Sequence, residues 1–238
     1  MAKVTDVFVS GTVENLVFYR RMGKSCTRIK RTHILQTAPT KVRGLNFGIA
    51  SRAAKALRNG LQPILPLPTD RSMQSRFSGA IARWLALHNV DDLPMGNAPD
   101  YFSNFQFMAG HTFGERCKVS FAIVPSAPCI LTVAIDAFIP SDKIKAPAGT
   151  SFVKLTITVT GCILKSGISN GTVTQTIKIP YNDILMPAQN IDFLLPQPTG
   201  SITVTAARLQ YYKDGSSPFH MINDAAWMPA GIINATYT

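Results

Sequence analysis

From Lys118 to the C-terminus, apolar and polar residues alternate with a period of two. Leu131, Val133 and Ile135 alternate with Thr132, Ala134 and Asp136, and Val153, Leu155, Ile157 and Val159 with Lys154, Thr156, Thr158 and Thr160. Val173, Gln175, Ile177 and Ile179 oppose Thr172, Thr174, Thr176 and Lys178. Successive side chains of an extended chain point to opposite faces, so each run predicts a β-strand with one face buried. Between Ile202-Val204-Ala206 and Ala207-Leu209-Tyr211 the apolar phase slips by one, as a β-bulge would produce. With further segments at 118–124, 191–195 and 231–237, about seven strands separated by Gly, Pro, Asn and Asp turns predict an antiparallel β-sandwich over residues 118–238. The uncharged stretch Ile232–Tyr237 is expected to be paired, inside the sheet or with a neighbouring molecule.

The front of the chain mixes both periods. Val7–Val9, Gly11–Val13 and Leu16–Arg20 read as strands, followed by a turn through Met22-Gly23-Lys24 and a return strand from Ser25 to Lys30. Gly23 can take the positive φ that a tight hairpin demands. On the return strand Thr27 and Ile29 point one way while Cys26, Arg28 and Lys30 point the other, which gathers charge on one face. A lone hairpin is marginal in water, so this one must rest on a surface.

Helical spacing follows. Thr40 is the expected N-cap of a helix running to Arg58 and closed by Asn59-Gly60, with Val42, Leu45, Ile49, Ala53 and Leu57 on its apolar face. Another face carries Lys41, Gly44, Gly48, Arg52 and Lys55. Each of the two glycines costs a helix about 1 kcal/mol relative to alanine. They therefore mark either a close backbone approach or an exposed face that tolerates them. Leu61–Pro68 is a stiff proline-rich spacer. Thr69-Asp70 then cap a second helix to about His88, burying Met73, Phe77, Ala80, Ile81, Trp84 and Leu85, with Arg76 and Arg83 extending a cationic surface. From 90 to 117 turn residues break every period, and Tyr101, Phe102, Phe105, Phe107 and Phe113 are expected to plug the gap between helices and strands. Stacking on bases is the alternative use of such rings, but interleaved cations are scarce there. The predicted organisation is α+β, mainly β: a basic arm over 1–89, an aromatic connector over 90–117 and the sandwich beyond.

Charge sharpens this division. Of 24 Lys and Arg, 15 fall in residues 1–89 against three carboxylates, a balance of +12. Residues 90–238 hold nine against ten, a balance of −1. The stretch Val17–Arg31 alone carries Arg20, Arg21, Lys24, Arg28, Lys30 and Arg31 with no carboxylate. With Arg52 and Lys55, these are the candidate groups for docking an anion or an acidic partner, and Gly44 and Gly48 are the candidate close-packing positions.

Catalytic chemistry finds little support. No His-Glu-x-x-His, phosphate loop or dinucleotide fingerprint is present. His33, His88, His111 and His220 fall in no catalytic motif, and the local set His111, Glu115 and Cys117, which combines base, acid and thiol, is on composition usually incidental. Asp136 and Asp142 flank a strand end without the loop spacing of a cation site. Cys26, Cys117, Cys129 and Cys162 form no C-x-x-C pair and no disulfide framework, and Cys162 reads as a small buried hydrophobe. The expectation is a non-enzyme with no cofactor, metal or small-molecule substrate. The N-terminal residues lack the apolar region of a secretory signal and no run approaches a membrane span, so synthesis as a soluble cytoplasmic protein is expected, with later release in a particle compatible.

Gly11-Thr-Val13, Asn15-Leu-Val17, Tyr19, Gly23-Lys24, then Gln36, Thr37, Thr40 and Lys41, and finally Phe47-Gly48, Ala50 and Ser51 resemble the N-terminal part of an uncharacterised family of small basic Bacteroidota proteins. The resemblance covers about the first 60 residues. It implies a recurring design, a basic hairpin and helix arm before a β domain, and no activity or catalytic residue. The charge split and the uncharged terminal strand together lead to an expected structural role: self-association through the arm and the β-domain edges into a tubular, filamentous or shell-like assembly such as a phage or filament subunit. A nucleic-acid-binding or packaging protein is the alternative, and an adhesin-like surface module a further one.

Overall fold

The computed structural model describes residues 3–5, 8–30, 36–66, 70, 72–88, 92–110, 112–127, 129–213, 220–222 and 224–238. The chain is α+β, mainly β, all its sheets are antiparallel, and it divides into two units, Met1–Val42 and Arg43–Thr238.

In the first unit, strands β1 (Lys3–Thr5), β2 (Phe8–Val13), β3 (Leu16–Arg21) and β4 (Lys24–Ile29) form one sheet in chain order. The expected hairpin is therefore the second half of a four-stranded sheet. Val7, expected at the start of a strand, lies outside the described residues. Arg21 pairs with Lys24, which leaves Met22 and Gly23 as a two-residue connection with φ of 49° and 80°. Two successive positive φ values match the right-handed twist of the flanking strands, and glycine takes such a φ without strain. Pairing of Val13 with Leu16 and of Leu16 with Ile29 sets these three in a row on one face. Val17 with Arg28, Tyr19 with Cys26 and Arg21 with Lys24 occupy the other.

Helix α1 spans Ala38–Gly60. It begins two residues before Thr40, and Thr37 acts as its cap: the Thr37 hydroxyl oxygen accepts from the Thr40 backbone N–H at 3.4 Å, and the Thr37 carbonyl accepts from Lys41 N at 3.0 Å. Its buried residues are Ala50, Ala53, Ala54 and Leu57, whereas Val42 and Leu45 stay 52% and 69% exposed. The expected apolar face is thus correct only in the second half of the helix. A 3-10 turn, Gln62–Ile64, leads to α2 (Met73–Leu87), which buries Met73, Phe77, Ile81, Trp84 and Leu85 as its spacing predicts. Strand β5 (Gly96–Asn97) and the short helix α3 (Asp100–Ser103) follow, and the rings of Phe102, Phe105 and Phe107 gather around Phe77 with centroids 5.7, 5.1 and 6.4 Å away.

After α4 (Phe113–Arg116) come β6 (Phe121–Ala127), β7 (Ile130–Ile135), the short helix α5 (Pro140–Lys143), β8 (Thr150–Ile163), β9 (Ile168–Pro180), β10 (Gln189–Leu194), β11 (Ser201–Lys213), β12 (His220–Met221), a 3-10 turn (Ala225–Trp227) and β13 (Ala230–Tyr237). All seven expected strands exist, but they are shared between two sheets. One has the order β10-β7-β6; the other runs β5-β13-β11-β8-β9, with β12 added beside β11.

The long central strands β8 and β11 are covered on opposite faces in their two halves. Val153, Leu155, Ile157 and Val159 share a core with Ala207, Leu209, Tyr211, Phe193 and the β7 residues Leu131, Val133 and Ile135. Cys162, Ile202, Val204 and Ala206 share the other core with the helices. This change of cover produces the apolar phase slip. β11 keeps an unbroken register with β8 from Ser201 opposite Ile163 to Tyr212 opposite Phe152. The bulge lies instead on β13, where Thr205 opposite Asn234 is followed by Ala206 opposite Ile232, leaving Ile233 as the extra residue. Double cover also buries Thr156, Thr158 and Thr160, whose hydroxyls meet those of the cross-strand residues Thr176, Thr174 and Thr172 at 3.5, 3.0 and 2.8 Å. Each buried hydroxyl is thereby satisfied. The uncharged C-terminal strand is paired inside the sheet, with β11 on one side and β5 on the other.

Candidate functional site

Along β3 and β4 the basic residues do not share one face. Register places Arg21, Lys24 and Arg28 on one face of the first unit's sheet and Arg20 on the other, where its Nε donates to the Gly23 carbonyl at 3.2 Å. The Arg28 guanidinium lies 6.0 Å from the Tyr19 ring centroid, a weak cation–π contact at an exposed site. Arg21 directly opposite Lys24 is a like-charge cross-strand pair, which costs stability unless an anion sits between or over the two. Lys30 follows β4, its backbone N–H donating to the Asn15 carbonyl at 2.6 Å. Arg31 and His33 lie outside the described residues.

Arg52 and Lys55 lie in the second unit. They project from the last turns of α1 into an open groove of about 550 Å3 that Asn59 and Gly60 continue and that Ser166, Gly167, Ser169 and Thr172 close from the β8–β9 turn. The Arg52 guanidinium is fixed by donating Nη2–H to the Lys165 carbonyl at 3.2 Å. Gly167, at φ 71°, is seated on α1: a Cβ there would stand 2.9 Å from Arg52 Cβ and 3.0 Å from its carbonyl carbon. At Gly60 a Cβ would overlap Thr160 Oγ1. The close helix approach predicted for Gly44 and Gly48 occurs instead at Gly60 and Gly167. A Cβ at Gly44 would meet nothing within 4 Å, and one at Gly48 only Arg52 Nη1 at 3.8 Å. Ser166 and Ser169, which the sequence did not single out, line the same groove as Arg52 across more than a hundred residues of chain.

The remaining candidates have structural duties. Arg76 does not extend a cationic surface: it pairs with Asp70 at 2.8 Å, donates to the carbonyls of Gln106 and Phe107 at 3.0 and 3.3 Å, and lies 5.1 Å from the Phe105 ring centroid. Arg83 stacks 4.6 Å from the Tyr101 centroid. Glu115 completes a capping box with Thr112 at the start of α4. Burial pushes the Cys117 thiol up to about 11 and the Cys162 thiol up to about 12, so both are protonated and unreactive at neutral pH. His111 lies outside the described residues. Among the described residues no three His, Cys, Asp or Glu side chains come together, and no helix is long and apolar enough to cross a membrane. Buried Arg208, which the sequence did not single out, donates Nη1–H to the Leu65 carbonyl at 3.2 Å.

Comparison with protein families, with curated proteins and with solved structures finds no match to this chain.

Proposed function

We propose that this chain is a non-enzymatic structural protein whose first unit docks on a second copy of the chain to build a larger tubular, filamentous or shell-like assembly, with the sandwich of the three- and six-stranded sheets as its body. The observation that carries the reading is the sheet of β1 to β4. Among residues 9–30 no side chain is buried, and the cross-strand row Val13, Leu16 and Ile29 is 47%, 36% and 69% exposed. A small sheet that buries no side chain among residues 9–30 gains little to offset the entropy of ordering its own chain, so a covering surface stabilises it.

A second copy supplies the right chemistry. The +12 front third meets ten carboxylates on the near-neutral remainder, and the opposed Arg21 and Lys24 gain most from such a partner. β9 offers a long edge that pairs with β8 alone among the described residues, which is a template for a neighbour's strand. Light scattering on the full chain tests this. The wild type should run at a multiple of 25.9 kDa, and Ile29→Lys, at an exposed position that spares the backbone pairing, should shift it toward the monomer. A wild type that stays monomeric at high concentration removes the reading.

A further inference from the structure

The groove between α1 and the β8–β9 turn is walled by hydrogen-bond donors. Arg52 and Lys55 carry positive charge, and among the described residues no carboxylate lines the groove. Ser166 Oγ already accepts the backbone N–H of Ile168 at 3.2 Å, and Ser169 Oγ accepts that of Gly171 at 3.2 Å. In these two contacts each hydroxyl acts as acceptor, so its own O–H can serve as a donor to a ligand. The Asn59 amide adds further N–H donors. Donors converge from two elements whose spacing is fixed by the seating of Gly167 on Arg52. Such a constellation selects an anion with several acceptor oxygens, because a neutral ligand leaves two cations uncompensated and a cation is repelled.

We infer that this groove binds the phosphodiester backbone of a nucleic acid. The step from one phosphate to a chain of them rests on a second groove of about 500 Å3 that Lys55 also lines, with Arg58, Gln74, Ser75 and Ser78 and, among the described residues, no carboxylate. Lys55 belongs to both. A ligand with anionic groups at regular intervals can occupy both grooves and share Lys55, whereas an isolated phosphate fills only one. Neither α1 nor α2 contains an acidic residue, so nothing on these helices repels such a strand. The C-terminal dipole of α1 opposes an anion, but Arg52, Lys55 and Arg58 in its last turns outweigh a partial charge.

The test is fluorescence polarisation of the full-length protein with a labelled single-stranded 12-mer of mixed sequence at low salt. Lys55→Ala and Arg52→Gln should each weaken binding about tenfold, and Lys55→Ala should lower the slope of log affinity against log salt by roughly 0.7. Lys143→Ala, at an exposed position elsewhere that removes the same charge, should change affinity less than twofold. Inorganic phosphate at millimolar concentration should compete no better than its ionic strength predicts. If Lys143→Ala weakens binding as much as Lys55→Ala, the affinity is a bulk charge effect and the inference is overturned. The same holds if the 12-mer does not bind, or if phosphate displaces it stoichiometrically and marks a single-anion site.

Discussion

Gly44 and Gly60 sit on one helix and ask opposite things of it. Gly44 meets no neighbour, so Gly44→Ala should raise stability by about 0.5–1 kcal/mol through helix propensity, read as a higher denaturation midpoint. Gly167 is held at φ 71° with its Cα side against Arg52, and Gly167→Ala should cost about 1–3 kcal/mol. The four cysteines divide in the same way. Cys117 and Cys162 are buried with raised thiols, while Cys129 is exposed and Cys26 half-buried. A chromogenic disulfide reagent should therefore label two thiols in the native protein at pH 8 and four after denaturation. Fast labelling of three or four in the native state would contradict the burial described for Cys162 in β8 and for Cys117 at the end of α4.

At the scale of elements, Arg76 ties α2 to the aromatic segment and to Asp70. Asp70's carboxyl is held below its ordinary value by the Ser72 backbone N–H first, then by the Ser72 hydroxyl and Arg76. A carboxylate depressed in the fold contributes stability above its unfolded value of about 3.9, and that contribution is lost as pH falls through the lower folded value. Asp70→Asn should accordingly flatten part of the acid limb of a stability profile without altering the neutral plateau's dependence on pH. Arg76→Ala should cost about 1–3 kcal/mol, because two carbonyls lose a charged donor. Local periodicity made the strands and α2 legible: β7 buries every second residue as its sequence alternates, and Met73, Phe77, Ile81, Trp84 and Leu85 line one helix face. What covers each face was not legible. Val42 and Leu45 have the spacing of a core stripe yet are exposed, since periodicity says which residues share a face and not whether anything packs there. The phase slip in β11 was visible, but its cause, two cores on opposite faces, depends on elements far away in sequence. The groove at Arg52 was half legible: its cations stood out by charge, while its serine donors arrive through tertiary pairing alone.

On the whole molecule, the +12 and −1 portions of the sequence and the absence of buried side chains among residues 9–30 are the two observations that support the proposed docking on another copy. The terminal strand, which looked available to a neighbour, is enclosed by β11 and β5, so the proposed association rests on the first unit and on β9. Self-association through these surfaces also predicts salt sensitivity: contacts between the basic front and the carboxylates of a neighbour weaken as salt screens them, whereas the apolar row persists. Negative-stain microscopy of the purified full-length protein at low and high salt is the most direct measurement. Ordered particles or filaments of repeating subunits at low salt are the expected result. A uniform field of single particles of the size of one 25.9 kDa chain, at every concentration and salt used, would contradict self-assembly.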